Sequence, residues 1–268
     1  MNSTKYRLAE VTAGEARERL AKRPVILLPM GSLEDQGPHA PMGDYLCADA
    51  VALKIAEAAC KAGTDTLVAP VLPFGGADYF GSMIGGIALE QVTLRAVIGE
   101  MFACLMRHKL DRLVVINGHG GNVTAIHDEA QKVFRASGVV IPSLYLWRMA
   151  YALLPEIKGK EEAAKTAGHG ADPLTSVGLH LFPHLLRKDM IPDGPIRKEF
   201  HGLPVSNFAT VKFQGIDVSV PGELTEFAPN GVMNADPRLC SAEVGEKIVS
   251  RLVAIGAAFV AHHAKQTA

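Results

Sequence analysis

Two stretches of this chain are almost continuously apolar and then turn abruptly polar and glycine-rich. Val25-Ile26-Leu27-Leu28-Pro29-Met30 runs into Gly31-Ser32-Leu33-Glu34, and Arg112-Leu113-Val114-Val115-Ile116-Asn117 runs into Gly118-His119-Gly120-Gly121-Asn122. A strand that is apolar at successive positions buries both of its faces, which requires a parallel sheet with helices on either side. The segments between have matching patterns. Helical spacing runs from Leu46 to Ala62 and from Gln91 to His108, and a helix capped by Asn122 runs to about Ala136. Thr66 to Pro70 and Val139 to Leu146 read as further strands. Strand and helix alternating at this spacing implies right-handed crossovers and an α/β fold with a mostly parallel sheet. Residues 203–222 alternate weakly among glycines and prolines, which predicts a short antiparallel element. Ala242 to His263 reads as a long closing helix. No repeat, low-complexity stretch or linker interrupts the chain, so one domain over residues 1–268 is expected.

Composition narrows the function classes. Hydrophobic residues make up 48% of the 268, enough for a large core, and the net charge of -1 offers no basic surplus for nucleic acid. The N-terminus lacks a signal-type apolar segment and no run of 18 apolar residues is present, so a cytoplasmic protein without a membrane span is expected. The four cysteines, Cys47, Cys60, Cys104 and Cys240, form no C-x-x-C pair and read as small buried hydrophobes.

In parallel α/β sheets, ligands bind outside the carboxyl ends of the strands. Both polar clusters fall there. The first continues through Asp35, Gln36, Gly37, Pro38, His39 and on to Asp44, and the second holds His119. Carboxylate and imidazole together suit Zn, Mn or Fe(II), and glycines let backbone approach a ligand closely. A third cluster, Gly168-His169-Gly170-Ala171-Asp172-Pro173-Leu174-Thr175-Ser176, opens a helix carrying Leu179 to Leu186, with Asp172 or Thr175 as cap, and makes His169 a candidate for acid–base work. Tyr79, Phe80 and Trp147 are candidate pocket aromatics. His180 and His184 are spaced i, i+4 but enclose no carboxylate.

The ordered clusters resemble the creatininase family of amidohydrolases. Pro29 to Pro41 is similar to that family's strand followed by Gly-Ser-x-Glu-x-His-Gly-Pro-His-x-Pro, and Asn117 to Asn122 to its Asn-Gly-His-Gly-Gly-Asn. His169 to Ser176 resembles its His-Ala-Gly-x-x-Glu-Thr-Ser helix start. Gly231 to Gly245, with Asp236-Pro237 and Ser241-Ala242-Glu243, resembles its closing stretch. The resemblance implies a three-layer α/β/α fold and metal-assisted hydrolysis, with metal-activated water attacking the carbonyl of a small cyclic amide or related polar ring. It also implies one or two divalent ions (Zn, Mn or Fe) per chain and a homo-oligomer, commonly a hexamer. A mean hydropathy of +0.15 accords mildly with oligomer formation. Carried over by position, Glu34, Asp44 and His119 fall on metal ligands, with Asp49 as an alternate for Asp44, and His169 on the proton-handling histidine. Asp172 is a further donor, and His39, Gly120, Tyr79 and Trp147 are substrate contacts. The chain departs from the pattern at Gln36, where the family has a ligand histidine, at Gly121, where some members have a glutamate, and at Leu174. Two other readings are open: hydrolysis of a C–C bond in a cyclic keto-sugar or keto-inositol, and a catalytically inert scaffold.

Overall fold

The computed structural model describes residues 5–76, 83–194, 196 and 199–267. In chain order the elements are α1 (Ala13–Leu20), β1 (Val25–Met30), α2 (Asp44–Lys61), β2 (Thr66–Val68), α3 (Gln91–Arg107), β3 (Leu113–Asn117), α4 (Val123–Ser137), β4 (Ser143–Tyr145), α5 (Leu146–Lys158), α6 (Lys160–Thr166) and α7 (Leu174–Leu181). There follow β5 (Glu199–Phe200), β6 (Leu203–Asn207), β7 (Thr210–Phe213), β8 (Ile216–Ser219), α8 (Leu224–Phe227) and α9 (Ala242–Gln266).

The first four strands form a parallel sheet in the order β2-β1-β3-β4. The two continuously apolar segments are its central strands, and alternate residues serve opposite faces. Val25, Leu27, Val114 and Ile116 pack into one buried cluster with Val51 and Ile55 of α2 and Leu252 of α9. Ile26, Leu28, Met30, Leu113 and Val115 pack into a second with Leu94, Ile98 and Phe102 of α3 and Ile126 of α4. Each such side chain contributes roughly 1.5–3 kcal/mol on burial, so helices are held on both faces and the fold is a three-layer α/β/α sandwich. The second sheet, β5-β6-β7-β8, is an antiparallel meander over the region where weak alternation predicts one.

The order β2-β1-β3-β4 positions the site. The chain leaves β1 through α2 to reach β2 on one side, then crosses back through α3 to β3 on the other. The carboxyl ends of β1 and β3 therefore flank the reversal point, where crevices open in such sheets.

Several boundaries differ from expectation. The strand expected over 139–146 pairs only at residues 143–145. Val140 is exposed, Pro142 cannot donate to a ladder, and α5 begins at Leu146. β2 stops at Val68, before Pro70. α7 ends at Leu181, two residues before Pro183, which cannot continue it. Its N-cap position is Pro173, so neither Asp172 nor Thr175 caps it, and Thr175 Oγ1 donates to the Gly170 carbonyl instead. Asn122 precedes α4 but its side chain does not cap it. Among the described residues no helix is long and apolar enough to cross a membrane.

Candidate active site

At the end of β1, Gly31 lets the chain turn against the first turn of α2. A Cβ there would fall 2.4 Å from Asp44 Oδ1 and equally close to the Tyr45 backbone. That approach brings the Ser32 N–H onto Asp44 Oδ1 at 2.5 Å and aims the carboxylate of Asp44, the first residue of α2, at the end of β3. From β3, Asn117 fixes the next turn: its Oδ1 accepts the His119 N–H at 3.0 Å and its Nδ2 donates to the His119 carbonyl at 2.7 Å. Asn122, expected to cap a helix, ties three loops together. Its Nδ2 donates to the Gly31 carbonyl (3.1 Å) and its Oδ1 accepts from Gly76 N (3.0 Å).

These turns bring Glu34, Asp44 and His119 together. Ser32 Oγ, Glu34 Oε2 and Asp44 Oδ2 each lie 3.2 Å from His119 Nδ1. One ligand atom from each of Glu34, Asp44 and His119 can be chosen so that all lie within 4.8 Å, and all three residues are buried. Gln36, also buried, donates from Nε2 to Glu34 Oε1 at 2.7 Å.

The electrostatics suit a cation. Burial and the charge of Glu34 push the Asp44 carboxyl up to about 7, although His119 opposes them. Burial works to raise Glu34 too, but His119, with help from His169 and Ser32, outweighs it and leaves Glu34 below its ordinary value. His119 is raised well above the ordinary histidine value because the two carboxylates outweigh its burial. Glu34 Oε2 is buried and faces His119 Nδ1 at 3.2 Å. Two carboxylates and an imidazole in a dry pocket cost desolvation that a divalent ion offsets, and an O, O, N donor set fits Zn, Mn or Fe(II).

The group opens on a cavity of about 420 Å³ walled by Tyr145, Trp147, Tyr151, His169, Leu174 and Phe208, with Gly120 also at its edge. His169 Nδ1 lies 2.8 Å from the Gly231 carbonyl, which can only accept, so Nδ1 carries the proton. Burial holds the ring below the ordinary histidine value and therefore neutral near pH 7. Its edge meets Phe208, from the turn between β6 and β7, with ring centroids 5.0 Å apart. Trp147 Nε1 donates to the Gly118 carbonyl.

Other expected contributors sit elsewhere. Asp172 does not join the carboxylate group: its Oδ2 pairs with Lys158 Nζ at 2.8 Å and its Oδ1 accepts from Ser176, a buried tie between α5 and the start of α7. The metal-ligand expectation for Asp172 is corrected accordingly. His39 is not in the cavity wall; it is buried with Nε2 3.0 Å from Thr175 Oγ1, and its expected substrate contact is dropped. Asp49 pairs with Arg7 at 2.6 Å. Tyr79 and Phe80 lie outside the described residues. Sequence reasoning missed Tyr145, Tyr151 and Phe208 in the wall and Ser32 beside Asp44 and His119. Ser32 carried a signal in its place directly after the β1 glycine, whereas Phe208 arrives from a distant meander and had none.

Fold and site together define an α/β/α protein with a buried cluster of carboxylates and a histidine at the ends of its parallel strands. It belongs to the creatininase family, whose model, described as creatinine amidohydrolase, matches residues 9–260. A mycofactocin precursor peptide peptidase of Mycobacterium ulcerans is 28% identical over 94% of this chain and 92% of its own length. A creatinine amidohydrolase of Pseudomonas putida is 30% identical over 70% of this chain and 76% of its own. A 3-dehydro-scyllo-inosose hydrolase of Thermotoga maritima is 27% identical over 70% of this chain and 63% of its own. A solved manganese form of creatininase superposes with a TM-score of 0.77 at 25% identity, covering 97% of this chain and 99% of that one.

Proposed function

We propose that the chain hydrolyses an amide-type bond in a compact, uncharged substrate, with a divalent ion held by Glu34, Asp44 and His119. The observation that carries this reading is the convergence of three buried donors within 4.8 Å beside the cavity. When bound, the ion supplies Lewis acidity, polarising a carbonyl and making water more acidic. Glu34 and Asp44 supply the negative charge that retains it, and the Ser32 N–H holds Asp44 in place. His169 keeps its proton on Nδ1 toward Gly231, so Nε2 is its accepting nitrogen. In this reading Nε2 takes a proton from the attacking water and returns it to the departing nitrogen, which leaves as a neutral amine.

The described residues lining the cavity include no lysine or arginine, so none of them pairs with a substrate carboxylate or phosphate. Tyr145, Trp147, Tyr151 and Phe208 offer flat apolar surface instead. A neutral cyclic amide, or an uncharged amide within a peptide, meets both conditions. The peptidase and creatinine amidohydrolase relatives support those two forms. The inosose hydrolase relative supports a second reading, C–C hydrolysis in a cyclic keto-sugar or keto-inositol. An inert scaffold is disfavoured because it would keep two carboxylates buried side by side, offset only by His119 and a few hydrogen bonds, where a divalent ion offsets the cost more fully. The homo-oligomer expected from the family is retained as part of the proposal, with the exposed Phe213, Ile216 and Val218 of the β7–β8 hairpin as its contact surface; light scattering reads it directly.

The test is elemental analysis of protein purified without chelator, beside His119→Ala, followed by product analysis on neutral cyclic amides, amidated peptides and cyclic ketones. Metal in the wild type, lost in His119→Ala together with turnover, is the expected outcome. Release of an amine identifies the amide reaction, and ring opening of a ketone without amine identifies the second reading. A wild-type chain that takes up no Zn, Mn or Fe overturns both.

A further inference from the structure

We propose that this centre is built for a single ion, and that the Gln36 amide stands where a second ion would need a donor. The inference rests on the metal reading above. Two-metal hydrolytic sites hold their ions about 3.5–4 Å apart, and the second ion needs donors of its own besides any carboxylate it shares. Among the described residues, Glu34, Asp44 and His119 form the one group of three His, Cys, Asp or Glu side chains that converge.

The side chains next to that group are committed otherwise. Gln36 is 2% exposed and lies 2.7 Å through Nε2 from Glu34 Oε1. The partner is a carboxylate, so the nitrogen and not the oxygen of the amide must face it. An amide nitrogen has no lone pair to give a metal, and here it also engages one of the two Glu34 oxygens, leaving that carboxylate less to offer a second ion. Gly121 also lines the cavity. A Cβ there would fall 1.7 Å from the Gly76 carbonyl oxygen and 2.7 Å from His119 Nε2. The backbone is closed over that position, so it cannot carry a donor side chain. Asp172, outside the group, is paired with Lys158 and accepts from Ser176. His169, its Nδ1 engaged by the Gly231 carbonyl, is one imidazole and does not complete a second set.

Gln36 thereby becomes a positioning residue. By engaging Oε1 it presents Glu34 through Oε2, the oxygen that faces His119, and restricts that carboxylate to one bond with the ion. Contacts of this kind typically change metal affinity 10–100-fold, on the order of magnitude known for outer-shell partners.

The experiment titrates the metal-free full chain with Mn²⁺ and follows the ion by electron paramagnetic resonance. About one Mn²⁺ per chain with the spectrum of an isolated ion is expected. Two per chain with an exchange-coupled spectrum overturns the inference while leaving the metal reading intact. No binding overturns the metal reading and this inference with it. Gln36→Leu is expected to keep a stoichiometry of one, to bind Mn²⁺ about 10–100-fold more weakly, and to lose intensity in its Co²⁺ d–d bands as Glu34 becomes free to bind through both oxygens. Unchanged affinity and an unchanged Co²⁺ spectrum overturn the positioning role. If Gln36→Leu does not fold, the wild-type stoichiometry still decides the single-ion claim.

Discussion

At the scale of single residues, the proposed metal reading makes the site a competition between protons and a cation. Asp44, raised to about 7 by burial and by Glu34, holds a proton at acidic pH that an ion must displace. His119, raised well above its ordinary value, holds another over a higher range. The sign follows: falling pH refills both groups with protons and weakens metal binding, and rising pH strengthens it. Apparent Kd is expected to rise by about tenfold per pH unit below 7 for each proton displaced. Calorimetry at pH 6 and 8 in buffers of different ionisation enthalpy measures both the affinity and the protons released; a Kd that does not change with pH would remove Asp44 from the ligand set. Asn122 gives a second residue-scale outcome. Asn122→Ala strands the Gly31 carbonyl and the Gly76 N–H, at about 1–3 kcal/mol for each buried unpaired group, so chemical denaturation should show a loss of several kcal/mol. Asn122→Asp retains the acceptor for Gly76 but not the donor for Gly31, and should fall between.

At the scale of elements, the turn between β6 and β7 and the packing of α7 on α9 shape the cavity without holding the ion. Phe208, on that turn, meets the edge of His169 and walls the cavity. Phe208→Ala should raise KM several-fold with metal content unchanged, which separates a substrate wall from a structural support. α9 approaches α7 at Gly245, where a Cβ would fall 1.9 Å from the Ser176 carbonyl oxygen. Gly245→Ala forces the helices apart and should cost about 1–3 kcal/mol, as overpacking does. Elements of this kind mark what was legible in the sequence. The β1 and β3 segments announced the parallel sheet because both of their faces are buried; Glu34 and His119 stood out as polar residues just past those strand ends, while their grouping with Asp44, fourteen residues beyond β1, was legible only through the family resemblance. Asp172 misled for the converse reason. Its place in the third cluster said nothing of Lys158, fourteen residues earlier on α5, which claims its charge. The strand expected from Val139 ran too long because Val139, Val140 and Ile141 before Pro142 read alike whether they pair in a sheet or, as Val140 does, lie exposed at its edge.

At the scale of the whole molecule, the ion ought to behave as part of the fold. The three proposed ligands come from the loop after β1, from the start of α2 and from the loop after β3, so one bound ion would join three segments that the hydrophobic layers hold only from below. Anything that binds the folded chain alone stabilises it by RT ln(1 + [L]/Kd), about 2.7 kcal/mol at a hundredfold excess over Kd. For a chain of this size each kcal/mol moves Tm by roughly 2–4 °C, so saturating metal should raise Tm by about 5–10 °C over the chelated protein. His119→Ala should show almost none of that rise. Asp172→Asn is the sharper comparison. If Asp172 serves only Lys158 and Ser176, its loss lowers the Tm of both the loaded and the chelated protein, because a buried ammonium is left without its partner, yet the interval between them stays the same. If Asp172 were a ligand, the interval would shrink with it. Scanning calorimetry of the two variants, each with and without metal, therefore separates the residues that hold the ion from those that hold the fold around it.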